Sequence, residues 1–164
     1  MTRRGSGYPK RRAARLAAVQ ALYQMEMSGA GPETVLAEQA QRAGDPEAGL
    51  AGTVAPDLGM LGDLVRGVHE RRQDIDRMVG AALSSNWPLE RLEAVLRAIL
   101  RAGAWELLSR PEVDGAVVIS EYVRIAEAFF DGGEPKLVNA VLDKLAGTLR
   151  EPGAPRHPDS SHDR

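Results

Sequence analysis

The stretch PLERLEAVLRAILRAGAWELL, residues 88–108, decides the fold. Leu89, Leu92, Val95, Leu96, Ile99, Leu100 and Leu107 recur at steps of three and four, the spacing of a helix. They cover too wide an arc for a helix with one wet side, and Glu90, Arg91, Glu93 and Arg97 occupy what remains. A helix buried on more than one side needs other helices around it. Residues 88–108 are therefore expected to form the central core helix of an all-α domain. Its N-terminal border, Asn86-Trp87-Pro88, is the sharpest in the chain, because proline pushes the residue before it out of helical geometry. Trp87 is expected to plug the core there, between two groups of helices. Arg110-Pro111 ends the helix.

Outward from this core the same period repeats. On the C-terminal side, residues 115–130 place Val118, Tyr122, Ile125, Ala126 and Phe129 on an inner face, and Asp131-Gly132-Gly133 stops them. Pro135–Leu149 buries Val138, Val141, Leu142 and Leu145. On the N-terminal side, Ile75, Met78, Val79, Ala82 and Leu83 mark one helix, set off by the polar stretch His69–Asp76. Another starts near Pro56-Asp57 and carries Leu58, Leu61, Leu64, Val65 and Val68. Gly59, Gly62 and Gly67 within it permit close helix contact. A helix from Pro32, with Val35, Leu36 and Ala40, ends before a loop at Gly44–Thr53. The first helix is expected over Lys10–Ser28, with Leu16, Ala18, Val19, Leu22 and Tyr23 at helical spacing. The total is about seven helices, with no persuasive strand alternation. Residues 1–9, with Gly5, Gly7 and Pro9, and residues 150–164, rich in proline, are expected to be disordered.

Composition removes most chemistry. A chain of 164 residues, 43% hydrophobic, suits one domain of modest size. The absence of cysteine excludes disulfides, thiolate metal sites and a cysteine nucleophile. His69, His157 and His162 are too scattered for a zinc site. No apolar run is long enough to span a membrane, and the basic start leads into no signal core, so a cytoplasmic protein is expected. No phosphate loop, nucleophile elbow or metalloprotease motif occurs. Glu38 with Asp45, and Asp74 with Asp76, read as solvated carboxylates rather than acid pairs. Neither an enzyme nor a cofactor is expected.

The net charge of −2 conceals an asymmetry. Residues 1–15 hold Arg3, Arg4, Lys10, Arg11, Arg12 and Arg15 and no acid, +6 in all, which leaves −8 for the rest. Such a basic end suits a polyanion, although a solvated terminus reads the same way. In a helix that starts at Lys10, these cations sit at the end the helix dipole disfavours, a cost that binding would explain. Guanidinium forks suit phosphate oxygens, so Lys10, Arg11, Arg12 and Arg15 are candidate phosphate contacts. Stacking surfaces for bases are few among three tyrosines, two phenylalanines and two tryptophans. Tyr23 serves either as such a surface or as core edge. Trp105, beside Glu106, faces either the core or a partner. Asn139 caps a neighbouring segment or touches a ligand.

These motifs resemble the NusB family of bacterial transcription antitermination factors. The resemblance opens with Arg11-Arg12-Ala13-Ala14-Arg15 running into Ala18-Val19-Gln20-Ala21-Leu22-Tyr23, and passes through Asp63-Leu64-Val65-Arg66-Gly67-Val68 and Trp87. Leu96–Leu107, Val117–Val123 and Lys136–Lys144 follow in order, so it covers about residues 10–149. It implies a non-catalytic all-helical domain of two packed bundles, divided here at 10–86 and 87–149. It also implies binding of the boxA element of ribosomal RNA leaders, a single-stranded RNA, together with NusE, a protein of the small ribosomal subunit. That pair joins NusA, NusG and RNA polymerase to resist termination.

The family's arginine-rich segment for RNA falls on Arg11, Arg12 and Arg15, with Lys10 beside it. Tyr23 matches a tyrosine near the RNA surface, and Glu106, with Trp105, matches a position linked to NusE. Ala13, Ser120 and Ala140 depart from the family's usual arginine, asparagine and glycine. Both a monomer and a homodimer that hides the RNA surface agree with the sequence. A protein-interaction module of ribosome assembly is the alternative function.

Overall fold

Every regular element among the described residues is helical: α1 (Thr2–Ser28), α2 (Pro32–Ala43), α3 (Leu58–Glu70), α4 (Arg72–Ala82), α5 (Ala94–Ser109), α6 (Gly115–Phe129) and α7 (Glu134–Leu149), with one 3₁₀ turn at Leu89–Arg91. This computed structural model describes residues 2–45, 54–84 and 86–150, with side chains from Gly7 onward. The loop expected over Gly44–Thr53 and the tail after Arg150 lie largely or wholly outside the described residues. The helices form two compact units, and the chain passes from one to the other between Glu70 and Arg71.

In the first unit, α1 packs on α2 and α3. Its buried side is built mainly of small residues, Ala14, Ala17, Ala18 and Ala21, with Val19 and Leu22. Alanines let the neighbouring helices come close. Val35 from α2 and Leu61, Leu64, Val65 and Val68 from α3 fill the space opposite. Each such leucine or valine contributes about 1.5–3 kcal/mol on burial. Gly62 is buried for a different reason from helix contact. An added Cβ would lie 2.6 Å from Arg66 Nη1, so the missing side chain leaves the arginine room. Arg66 then makes a two-pronged bridge to Glu33 of α2, at 2.7 and 3.0 Å.

In the second unit, α5 is the centre, and α4, α6 and α7 pack around it. It is buried without interruption from Ala98 to Leu107. Arg101, itself inside, reaches Asp76 of α4 through two hydrogen bonds, 2.8 and 3.1 Å. Asp74 is held by Arg71 and Arg77, so neither aspartate is available as an acid pair. Glu38, in the first unit, accepts from Gln24 Nε2 at 2.8 Å.

Several expectations are corrected. α1 starts at Thr2 rather than Lys10 and carries Pro9 inside it. A proline there removes one hydrogen bond, to the carbonyl four residues back, and its ring crowds that carbonyl, a local cost that α1 carries in its third turn. The cations at 10–15 consequently sit two turns inside the helix, beyond the reach of its dipole. The helix expected over 88–108 is broken: a 3₁₀ turn and extended Leu92 and Glu93 precede α5. Arg97 stabilises the break by donating from Nη1 to the carbonyls of Leu89, Glu90 and Leu92.

The division between units falls at 70/71 and not at 86/87, because α4 packs on α5 and α7. Trp87 does not plug the core; it is 55% exposed, and Phe129 at the end of α6 is also exposed. Arg150, assigned above to a disordered tail, is buried. Its guanidinium donates to the carbonyls of Leu107 (3.0 Å), Val113 (2.9 Å), Arg110 (3.0 Å) and Glu106 (3.5 Å).

Candidate nucleic-acid interface

On a helix, positions i, i+3, i+4 and i+7 share one side. In α1 these are Tyr8, Arg11, Arg12 and Arg15. Lys10 and Arg11 are exposed, Arg12 is half-buried, and Arg15 is only 2% exposed. The stripe therefore dives from solvent into the first unit within two turns. Arg15 belongs to the interior and is not a surface phosphate contact. A sequence reading takes arginine as solvated by default, yet Arg15 lies on the same buried stretch of α1 as Ala14, Ala17 and Ala18.

Tyr8 organises the exposed end. It is 37% exposed and lies under Arg12, whose Cζ is 4.9 Å from the ring centroid and whose Nη2 donates to the tyrosine hydroxyl at 3.2 Å. The Cζ of Arg11 is 5.9 Å from the same centroid. Both distances fall within the range of cation–π attraction. Gly7 leaves room for this arrangement, since a Cβ there would come within 2.9 Å of Arg11 Nη1. Tyr8 escaped the sequence reading because Pro9 seemed to separate it from the helix. Had the helix been extended past the proline, its i+3 and i+4 spacing to the two arginines would have been the signal.

Tyr23, 39% exposed, lies at the border of the buried side of α1. Fifteen residues from Tyr8, it sits on nearly the same side of the helix and about 22 Å further along the axis. The carbonyl of Lys10 accepts from the backbone N–H of Asp57, at 3.1 Å, which ties the basic segment to the start of α3. The described part of the interface is thus exposed Tyr8 and Arg11 with half-buried Arg12 on one side of α1, Tyr23 further along it, and exposed Lys10 round the helix from them.

Trp105 and Glu106 are not on a surface. Glu106 is fully buried in the second unit, and its Oε2 accepts from the Tyr122 hydroxyl at 2.6 Å. Trp105 is buried as well, with the Cζ of Arg110 5.9 Å from its ring centroid. The cause is the all-round burial of α5, which carries even charged residues inside. As direct partner contacts both are corrected by the structure. Asn139 is exposed and lines an open groove of about 880 Å³ with Ser120, Arg124, Glu127 and Asp143. Among the described residues no cluster of three His, Asp or Glu is placed to hold a metal ion, and no helix is long and apolar enough to cross a membrane.

The profile of the NusB family matches residues 12–147. The transcription antitermination protein NusB of Brucella ovis is 53% identical over 152 residues, covering 90% of this chain and 88% of the relative. That of Rhizobium etli is 50% identical over 142 residues, covering 86% and 88%. Among solved structures, NusB of T. maritima superimposes with a TM-score of 0.70 at 31% identity, over 83% of this chain and 89% of that one. A chain from a crystal structure of the antitermination factors NusB and NusE in complex with dsRNA gives the same TM-score over 86% and 98%; its 23% identity speaks to the fold alone. With the profile spanning nearly all of both helical units, the chain belongs to the NusB family of transcription antitermination factors.

Proposed function

We propose that this antitermination factor binds the boxA element of ribosomal RNA leader transcripts together with NusE, and so joins NusA, NusG and RNA polymerase in a complex that keeps ribosomal RNA transcription processive. The observation that carries the reading is the cluster of exposed Lys10 and Arg11 and half-buried Arg12 around one turn of α1, in a chain whose first fifteen residues carry +6. These cations meet the phosphates, and Tyr23 offers its exposed ring edge to a base. Arg15 acts from inside, holding the segment in place. Glu106 and Trp105 support the NusE contact as positioning residues, by fixing the end of α5. The relatives' name and a solved NusB–NusE assembly on dsRNA with this fold support the assignment.

Phosphate contacts alone give affinity without choice of sequence, so selectivity is expected to arise on the surface shared with NusE. The test is fluorescence anisotropy of a labelled boxA oligonucleotide, titrated with the protein alone and premixed with NusE, at two salt concentrations. Tighter, boxA-selective binding in the mixture supports the proposal. Weak binding that ignores both sequence and NusE refutes it, and leaves the protein-interaction module of ribosome assembly.

A further inference from the structure

Tyr8 is the one aromatic residue set directly among the cations of α1 that the functional reading leaves without a role. It stands at i−3 and i−4 from Arg11 and Arg12, with their Cζ atoms 5.9 and 4.9 Å from its ring centroid, and it stays 37% exposed. A residue that only steadied two arginines would gain little from remaining open to water, because cation–π attraction strengthens as the pair is desolvated. An exposed ring flanked by guanidinium groups matches a single nucleotide, which presents an apolar base face and a negative phosphate side by side. We propose that Tyr8 is a base-stacking residue: an unpaired RNA base lies on its ring while Arg11 and Arg12 neutralise the adjoining phosphates.

The proposal rests on the RNA-binding reading and adds to it a second stacking point. With Tyr23, Tyr8 brackets the arginines along one side of α1, so that a strand is held at two bases with its phosphates between them. The Arg12 Nη2 hydrogen bond to the Tyr8 hydroxyl, 3.2 Å, orients the ring and the fork together. The ring is the part that meets RNA; the hydroxyl only aligns it.

The experiment uses the full-length chain premixed with NusE and a labelled boxA oligonucleotide, together with a series in which each base in turn is replaced by an abasic sugar. Tyr8→Leu is expected to weaken binding by about 5- to 100-fold, the usual range for loss of one stacked base. Tyr8→Phe keeps the ring and stays within about threefold of the unsubstituted protein. The slope of affinity against salt stays the same in Tyr8→Leu, because no cation is lost. One abasic position that weakens binding to the unsubstituted protein has no further effect on Tyr8→Leu, as two halves of one contact require.

A Tyr8→Leu affinity equal to that of the unsubstituted protein overturns the proposal. So does a loss that comes with a shallower salt slope and undiminished abasic costs, which would make Tyr8 a prop for the arginines. Either result leaves boxA binding itself standing. Failure of the unsubstituted protein to bind boxA removes the RNA reading and the Tyr8 role together. Far-UV circular dichroism of both variants should match the unsubstituted protein, since Tyr8 lies outside the buried core.

Discussion

Replacing Arg150 tests whether the second unit depends on a residue that follows its last helix. The carbonyl of Leu107, in the last turn of α5, would ordinarily meet the backbone N–H four residues on. That residue is Pro111, which has none. Arg150 Nε supplies the missing donor at 3.0 Å, and its Nη1 donates to the Val113 carbonyl at 2.9 Å. The Glu106 and Arg110 carbonyls also accept backbone N–H groups, from Arg110 and Val113, so they lose less if the arginine goes. Two carbonyls stripped of their donor cost about 1–3 kcal/mol each. Removing the cation from the end of α5 adds a fraction of a kcal/mol to about 1 kcal/mol. Release of a buried guanidinium from its desolvation cost works the other way.

The net expectation for Arg150→Met is a loss of about 2–5 kcal/mol, a large share of the roughly 5–15 kcal/mol by which domains are stable. Arg150→Lys, a point charge without the fork, should fall between the two. A chain ending at Leu149 should behave like Arg150→Met. Urea unfolding followed by tryptophan fluorescence reports on the site, because buried Trp105 sits beside Arg110 at the same helix end. A midpoint shift worth less than about 1 kcal/mol for Arg150→Met would refute the capping argument, since one net hydrogen bond is worth that much.

Gly103→Ala should destabilise the protein despite the helix preference for alanine, because the new Cβ would lie 2.7 Å from Leu142 Cδ1 and 3.4 Å from Tyr122 Cδ2. Overpacking of about 1–3 kcal/mol, less the roughly 1 kcal/mol gained from propensity, gives a small net loss by urea unfolding. Paired with Leu142→Ala the cost should be less than additive, and strict additivity would show that the clash is relieved elsewhere. The hydrogen bond from Arg66 holds the Glu33 carboxyl below its ordinary value of 4.5. This contribution is fully present above that value and is lost as the pH falls through the lowered folded one. Glu33→Gln should flatten that part of the acid-stability profile, an effect that salt should also shrink because both partners are exposed. Arg12→Ala should lower the salt slope of RNA binding by about 0.7, the loss of one phosphate contact. Arg15→Ala should first appear in urea unfolding, because its guanidinium is inside; an unchanged unfolding midpoint with a reduced salt slope would restore it to the surface.

The all-α class and the centrality of α5 were legible because hydrophobic period survives in any register of the surrounding helices. Leu96, Ile99, Leu100 and Leu107 are buried in the structure as their spacing implies. What the period could not show is which neighbour covers which face. α1 hides mostly alanines, so its buried side is faint in hydropathy, and Leu16, which carries more apolar weight, is exposed. Trp87 looked like a core residue on chemistry alone, yet the turn between α4 and α5 leaves it largely in solvent. The break at Leu92 and Glu93 was invisible because it is stabilised by Arg97 reaching back to carbonyls, an interaction no local pattern records.

The site divides along the same physical line. Charge is additive along a sequence, so a basic end could be read without coordinates, and Lys10 and Arg11 are exposed as that reading needs. Whether a given charge faces water is a property of packing, and there the sequence misleads in both directions. Arg15, Glu106 and Arg150 are charged and buried, each tied to the interior of its own unit. Burial changes what such a residue can do for RNA or a partner, from touching it to holding the segment that does. Arg15 and Arg12 are three positions apart on one helix, and one is enclosed while the other leans on Tyr8. The segment therefore works as a graded lever, anchored by Arg15 and exposed towards Tyr8. Substitutions at its inner end should be read by stability, and those at its outer end by the salt and base dependence of binding.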